Sequence, residues 1–223
     1  MHATLWVHFV RSASRGLIVT CVRVCRFIRL LDWQIIQLAD LPQHGQPIIF
    51  VSNHIEWHDI PLIGWALPGR YRLWWFAKAE LVNHPMGWWF RCLPMIPVRR
   101  GIGDATALHS AIQKVAACCP LVLFPEGTWD DGRMLRAKNG VVRIALATDA
   151  LIVPIGLTGR MQPLWFRQRT MTVGNSFRLR DLPSFVPELA IQNQPITALT
   201  TDVMHRITAL LPAEYHGYYA YSK

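Results

Sequence analysis

Six short apolar runs set the terms on which this 223-residue chain can fold. Ile48–Val51, Arg72–Ala77, Met95–Val98, Leu121–Phe124, Ile152–Leu157 and Thr170–Phe177 have the length of strands and fall short of a buried helix. Between them lie helical signals. Asp104 is placed to cap a helix reaching Ala117, Lys138 to Thr148 reads as another, and Ile196, Leu199, Val203, Ile207 and Leu210 recur at helical intervals as one apolar stripe. Strands alternating with helices predict an α/β domain whose strands lie inside a sheet.

The composition, 52% hydrophobic and 17% charged, excludes a disordered or collagen-like chain, and the length suits one domain with a short extension. A net charge of +9 together with ten Trp points to an anionic partner, either lipid headgroups or stacked bases. The five cysteines (Cys21, Cys25, Cys92, Cys118 and Cys119) make neither a CxxC pair nor a zinc spacing, which predicts the reduced cytoplasmic face rather than a secreted protein.

Residues 4–33 form the most apolar region, but Arg11, Arg15, Arg23, Arg26 and Arg29 interrupt it, and a bilayer span needs about 20 apolar residues. At about 100° per residue these arginines and His8 share one arc of about 120°, with Trp6, Phe9, Val10, Leu17, Ile18, Val22, Phe27 and Ile28 around the rest. That pattern predicts a helix lying in an anionic membrane interface with its guanidiniums among lipid phosphates, a peripheral or monotopic attachment. The plainer alternative is an amphipathic helix packed on its own domain. Residues 1–40 are accordingly read as a basic, membrane-associating helical region and residues 41–223 as a catalytic domain. A second basic cluster, Arg160, Arg167, Arg169, Arg178 and Arg180 around Trp165 and Phe166, either extends the lipid-facing surface or forms a solvated edge.

The chemistry collects where strands end. After Ile48–Val51 the chain reads Ser52-Asn53-His54-Ile55-Glu56-Trp57-His58-Asp59. A turn into a helix brings His54 and Asp59 together, so that the carboxylate takes one imidazole nitrogen and leaves the other as a base. Alone, that spacing is more often a structural pair than a catalytic one. Three other strand ends add to it: Ile96 to Arg100 carries two guanidiniums suited to phosphate, Phe124-Pro125-Glu126-Gly127-Thr128 can form an anion-binding turn, and Val153-Pro154-Ile155 lies in another strand.

In this order, those segments resemble the four motifs of glycerolipid acyltransferases of the lysophosphatidic acid acyltransferase family, across residues 48–157. Phe76-Ala77-Lys78-Ala79-Glu80 and Pro85-Met86-Gly87 share in the resemblance. It implies a mixed sheet flanked by helices, and acyl transfer from an acyl thioester, acyl-coenzyme A or acyl carrier protein, to the sn-2 hydroxyl of lysophosphatidic acid. His54 would take the hydroxyl proton, Asp59 would hold the imidazole, and the alkoxide would attack directly with no acyl-enzyme. Lys78 would help stabilise the oxyanion, and Arg99, Arg100, Glu126, Gly127 and Thr128 would bind the acceptor. The only co-substrate expected is the acyl thioester, with no metal or cofactor and no nucleic acid.

Two departures stand out. The family's third motif continues Thr-Arg, whereas Thr128 is followed by Trp129, leaving Arg133, Arg136 or Lys138 as substitutes and opening other acceptors such as glycerol-3-phosphate or another lysolipid. The second is the extra His58, which with His54 and Asp59 superficially resembles a metal triad; the position of Arg99, too, more often holds an acid in the family. Two remoter rivals remain: a metal-dependent hydrolase using His54, His58 and Asp59, which a chelator would silence, and a nucleic-acid-binding protein, which would not need His54.

Overall fold

Ile48–Ser52 (β2) is buried at every position because it has helices on both faces. The structure, a computed structural model, describes residues 2–80, 87–99, 104–159 and 168–220. β2 runs parallel to Leu121–Leu123 (β5) on one side and Leu151–Thr158 (β6) on the other. Ile49 and Val51 pack against Ala105–Ala116 (α4), Gly140–Thr148 (α5) and Ile196–Thr208 (α6). Ile48 and Phe50 point the opposite way, to Val22 of His2–Phe27 (α1) and to Leu62 and Ile63 of Asp59–Ala66 (α2). Successive strand residues face opposite sides, so only an unbroken apolar run satisfies both layers.

Asp32–Gln37 (β1), Trp74–Lys78 (β3), Met95–Val98 (β4) and Gln168–Val173 (β7) complete, among the described residues, a seven-stranded sheet in the order β1-β7-β6-β2-β5-β3-β4. Neighbours are parallel except β6 and β7, so the sheet is mixed, as the resemblance implies. Parallel β6, β2, β5, β3 and β4 send their C-terminal ends to one edge, where such sheets hold ligands. Trp74 and Phe76 pack with one core and Trp75 with the other, as alternation along the strand predicts. Asp104 caps α4, its carboxylate accepting the Ala107 N–H at 2.9 Å. β7 starts two residues earlier than the sequence suggests and stops at Val173; Phe177 makes an isolated bridge to Ile152.

The N-terminal region departs most from expectation. The helix stops at Phe27 rather than running to residue 33, because Arg29 adopts a left-handed φ of 59°. The Leu30 and Arg29 N–H groups then donate to the Cys25 and Arg26 carbonyls at 2.7 and 3.0 Å, closing the helix end without a glycine. Residues 32–37, assigned from sequence to the helical region, are instead an edge strand parallel to β7. Trp33 is its one buried position, which is why it carries no apolar run.

Three arginines of the basic arc turn toward the domain, while Arg23 and Arg29 are exposed. Arg11 donates through Nε to the carbonyl of Cys92, the last residue of Gly87–Cys92 (α3), at 2.7 Å and lies over the Trp74 ring at 5.3 Å. Arg15 donates to the Leu67 carbonyl at 3.1 Å, and Arg26 sits 4.7 Å over Trp65. These three guanidiniums hold the helix to the domain and are not arrayed toward lipid phosphates, while Trp6, Phe9, Leu17, Val24 and Phe27 point outward, Phe27 at 88% exposure. Among the described residues no helix is long and apolar enough to cross a membrane.

The second basic cluster is not one surface. Arg169 is fully buried, Arg178 and Arg180 both pair with Asp149, at 3.0 and 2.5 Å, and Arg160, Trp165, Phe166 and Arg167 lie outside the described residues.

The clamp on α1 is testable. Arg11→Ala with Arg15→Ala removes two charged hydrogen bonds and a cation–π contact, each worth about 1 kcal/mol. Hydrogen exchange read by mass spectrometry should show α1 exchanging about tenfold faster or more, with β2 and β5 unchanged; unaltered α1 exchange would refute the clamp.

Candidate active site

Past the end of β2, side chains take over from the backbone ladder. The Asn53 amide donates to the Leu157 carbonyl at 3.0 Å and accepts the Leu157 N–H at 2.7 Å, tying the chain to β6 one residue before the histidine. The chain then turns through 55–58 into α2, which opens on Asp59. Asp59 is fully buried, and its Oδ2 accepts His54 Nδ1 at 2.7 Å, the Ile55 N–H at 2.7 Å and the Glu56 N–H at 3.0 Å. The pair anticipated from spacing is therefore in contact. A carboxylate can only accept, so Nδ1 donates and Nε2 keeps the lone pair that a base needs.

Burial alone would raise the Asp59 pKa, but the His54 hydrogen bond, the Arg169 charge and the backbone donors outweigh it and hold the carboxyl below its ordinary value. Arg169 Nη2 donates to Asp59 Oδ1, and Nη1 lies 3.1 Å from Glu56 Oε1. Sequence reading placed Arg169 in a surface cluster. The missed signal was phase: on β7 it lies in phase with the buried Met171 and Val173, so it points inward.

The His54 ring has an aromatic housing. Phe124 stacks on it at 4.1 Å and Trp129 meets it edge-on at 4.6 Å. The residue that stands where an arginine was expected thus covers the imidazole and shields it from water. Glu126 is buried and joins two backbone segments: Oε1 accepts the His54 N–H at 2.9 Å and Oε2 the Leu135 N–H at 2.5 Å. Burial, against those two donors, pushes its pKa up to about 7.

Gly127 takes a left-handed φ of 72°, and its N–H closes the turn onto the Phe124 carbonyl at 3.0 Å. A Cβ there would lie 3.3 Å from Lys138 Nζ, so this ammonium stands over the turn. Of the other two cations considered, Arg133 pairs with Asp131 at 3.5 Å and Arg136 lies 6.0 Å over the Tyr218 ring. Thr128 is exposed beside the turn.

Lys78 and Arg99 are exposed at or just past the ends of β3 and β4, on the same sheet edge as His54 but beyond β5. The Arg99 N–H donates to Asp104 at 3.0 Å. Arg100 lies outside the described residues, as do Pro85 and Met86. His58 turns to Glu56, Nδ1 to Oε2 at 3.6 Å, and desolvation lowers its pKa. No group of three or more His, Cys, Asp or Glu able to hold a metal converges among the described residues.

Next to Asp59, Ile60 and Pro61 open into a cavity of about 910 Å³ between α1, α2 and β3, within the usual range of ligand pockets. Ile18, Gly64, Trp74, Trp75 and Leu93 give it largely apolar walls, with Arg11, Arg15 and Arg72 at its rim.

Known proteins share the fold or part of the sequence. A 1-acyl-sn-glycerophosphate acyltransferase of Thermotoga maritima, known from its crystal structure, has the same fold, with a TM-score of 0.65 at 22% identity over 90% of this chain and 80% of that one. Lyso-ornithine lipid O-acyltransferase of Pseudomonas aeruginosa is 29% identical over 140 residues, which is 61% of this chain and 52% of the relative. A 1-acyl-sn-glycerol-3-phosphate acyltransferase of Cocos nucifera is 34% identical over 144 residues, 60% of this chain and 42% of the relative. The chain spans about half the length of these curated relatives. A family model described as Acyltransferase matches residues 33–158, from the buried Trp33 through both strands that hold Asn53. With more than half of its length inside that match, the chain belongs to the acyltransferase family.

Proposed function

We propose that this protein transfers a fatty acyl group from an acyl thioester, acyl-coenzyme A or acyl carrier protein, to the sn-2 hydroxyl of lysophosphatidic acid, giving phosphatidic acid. The observation that carries this reading is the His54–Asp59 pair past the C-terminal end of β2, in which the carboxylate takes Nδ1 and leaves Nε2 as the base. His54 Nε2 takes the acceptor's hydroxyl proton as the oxygen attacks the thioester carbonyl carbon. Asp59 stabilises the imidazolium that forms. The tetrahedral intermediate collapses with loss of the C–S bond, and the His54 proton passes to the departing thiolate, so no enzyme nucleophile is needed. The cavity takes the acyl chain, and Lys78, on the same edge, supports the oxyanion. Lys138 over the Gly127 turn, with Thr128, Arg99 and Arg100, takes the acceptor phosphate.

A second acceptor reading has its own support: Trp129 occupies the place of a phosphate-binding arginine, and a lyso-ornithine lipid acyltransferase is among the similar relatives. An acceptor with less negative charge fits that substitution.

The apolar stripe of α1 docks the protein, as a peripheral or monotopic enzyme, on the anionic cytoplasmic face of a membrane. Outward Trp6, Phe9, Leu17 and Phe27 enter the lipid while the inward arginines fix the helix to the domain.

Transfer of labelled oleoyl from coenzyme A to a panel of lysophosphatidic acid, glycerol-3-phosphate and neutral or zwitterionic lysolipids tests the reaction. His54→Ala should lower turnover by about 10²- to 10⁴-fold, and Lys138→Ala should raise KM for phosphate-bearing acceptors selectively. Transfer untouched by His54→Ala would overturn the site. Docking is tested on the intact chain, since Trp33 and Val22 belong to the core. Phe9→Ser, Leu17→Ser and Phe27→Ser together should release the protein from anionic vesicles with its thermal midpoint kept, and continued co-sedimentation would remove α1 as the anchor.

A further inference from the structure

The least expected group near His54 is a guanidinium with no exposed surface. Arg169 comes from β7, beyond the residues matched to the family, and occupies an inward position in phase with Met171 and Val173 that a hydrophobe would fill. A buried cation survives only where its partners replace the lost hydration. Those partners are Asp59 Oδ1, which accepts from Nη2, and Glu56 Oε1, in ionic contact 3.1 Å from Nη1; among the described residues neither Nη1 nor Nε finds a hydrogen-bond acceptor.

The two oxygens of Asp59 are thereby divided. Oδ2 serves His54 and the backbone N–H groups of Ile55 and Glu56, and Oδ1 serves Arg169. Rotation of the carboxylate would break contacts on both sides at once. Arg169 also brings a cation to a cluster that holds Asp59 and Glu56, with His58 beyond Glu56 and Glu126 reaching the His54 backbone from the β5 side.

We propose that Arg169 is a positioning residue for the acyl transfer. Its clamp on Asp59 and Glu56 fixes the carboxylate orientation in which His54 keeps its proton on Nδ1 and presents Nε2 to the acceptor. This rests on the function proposed above, and it extends the site to a strand outside the recognised motifs.

Arg169→Met removes the charge and keeps the bulk, Arg169→Lys keeps the charge and loses the two-point clamp, and Arg178→Ala removes an exposed arginine paired with Asp149 as the control. Both Arg169 variants should lose about 10- to 100-fold in kcat with KM little changed. In Arg169→Met the acid limb of the kcat/KM profile should move to higher pH, because the site loses a nearby cation; in Arg169→Lys it should stay in place. Nitrogen-15 imidazole spectra without substrate should show the Nδ1–H form of His54 in the wild type and a mixture of tautomers in Arg169→Met. Arg178→Ala should match the wild type in all three readouts. Activity falling only in step with the folded fraction, with limb and tautomer unmoved, would overturn the proposal, as would unchanged kcat in either Arg169 variant. If the wild type acylates no acceptor, the function fails separately, and the tautomer decides for Arg169: lost in Arg169→Met it supports the clamp, retained it refutes it.

Discussion

Everything at the site follows from one buried charge. The Asp59 carboxylate has no contact with water, and a charge so placed is tolerated only when its lone pairs are fully used. Four donors meet that demand: His54 Nδ1, the N–H groups of Ile55 and Glu56, and Arg169 Nη2. The backbone donors force residues 55–58 to wrap around the helix start, where the first-turn N–H groups also favour an anion. The loop, the first turn of α2 and the edge of β7 therefore form one electrostatic unit. The imidazole is held because the carboxylate needs a donor, as much as because the imidazole needs a partner.

A second set of ties fixes the backbone on which that imidazole hangs. Asn53 reproduces a ladder pair to Leu157 with its side chain, so the alignment of β2 with β6 continues up to the histidine. Glu126 bridges the His54 N–H and the Leu135 N–H, joining the β5 loop to the segment that carries Lys138. That segment is anchored in turn from the C-terminus: the Tyr219 hydroxyl accepts the Ala137 N–H at 2.9 Å, and the Tyr218 N–H donates to the Met134 carbonyl at 2.9 Å. Lys138 thus stands over Gly127 through a chain of contacts that begins about eighty residues later in sequence.

How much of this could be read in advance depended on whether the determinant was local. The apolar runs of β2, β5 and β6 announce themselves because both faces of a central strand are buried, and the Asp104 cap lies three residues from the N–H it binds. The His54–Asp59 contact was legible for the same reason. β1 was missed because an edge strand with one buried residue has no periodicity to detect. Helical spacing placed the arginines of α1 on one arc but could not say which arc turns inward. Guanidiniums that reach carbonyls and tryptophan faces reverse the usual sense of amphipathicity, which assumes that charge seeks water. Arg169 and the bridging role of Glu126 depend on tertiary distance alone, and only the alternation along β7 hinted at the first.

The two carboxyls around His54 meet opposite fates, and the difference bears on what the imidazole can do. Asp59 sits against a guanidinium and three other donors and stays charged below the ordinary carboxylate range. Glu126 has two backbone donors and no cation among its resolved influences, so burial dominates, with the nearby Asp59 charge adding to it, and its pKa rises to about 7. With environments that push the two pKa values apart, His54 keeps one permanent anion at Nδ1 and a second carboxyl poised near neutrality at its backbone. Such splitting between neighbouring acids marks sites arranged for proton transfer, and here it is produced by which of the two the strand β7 reaches.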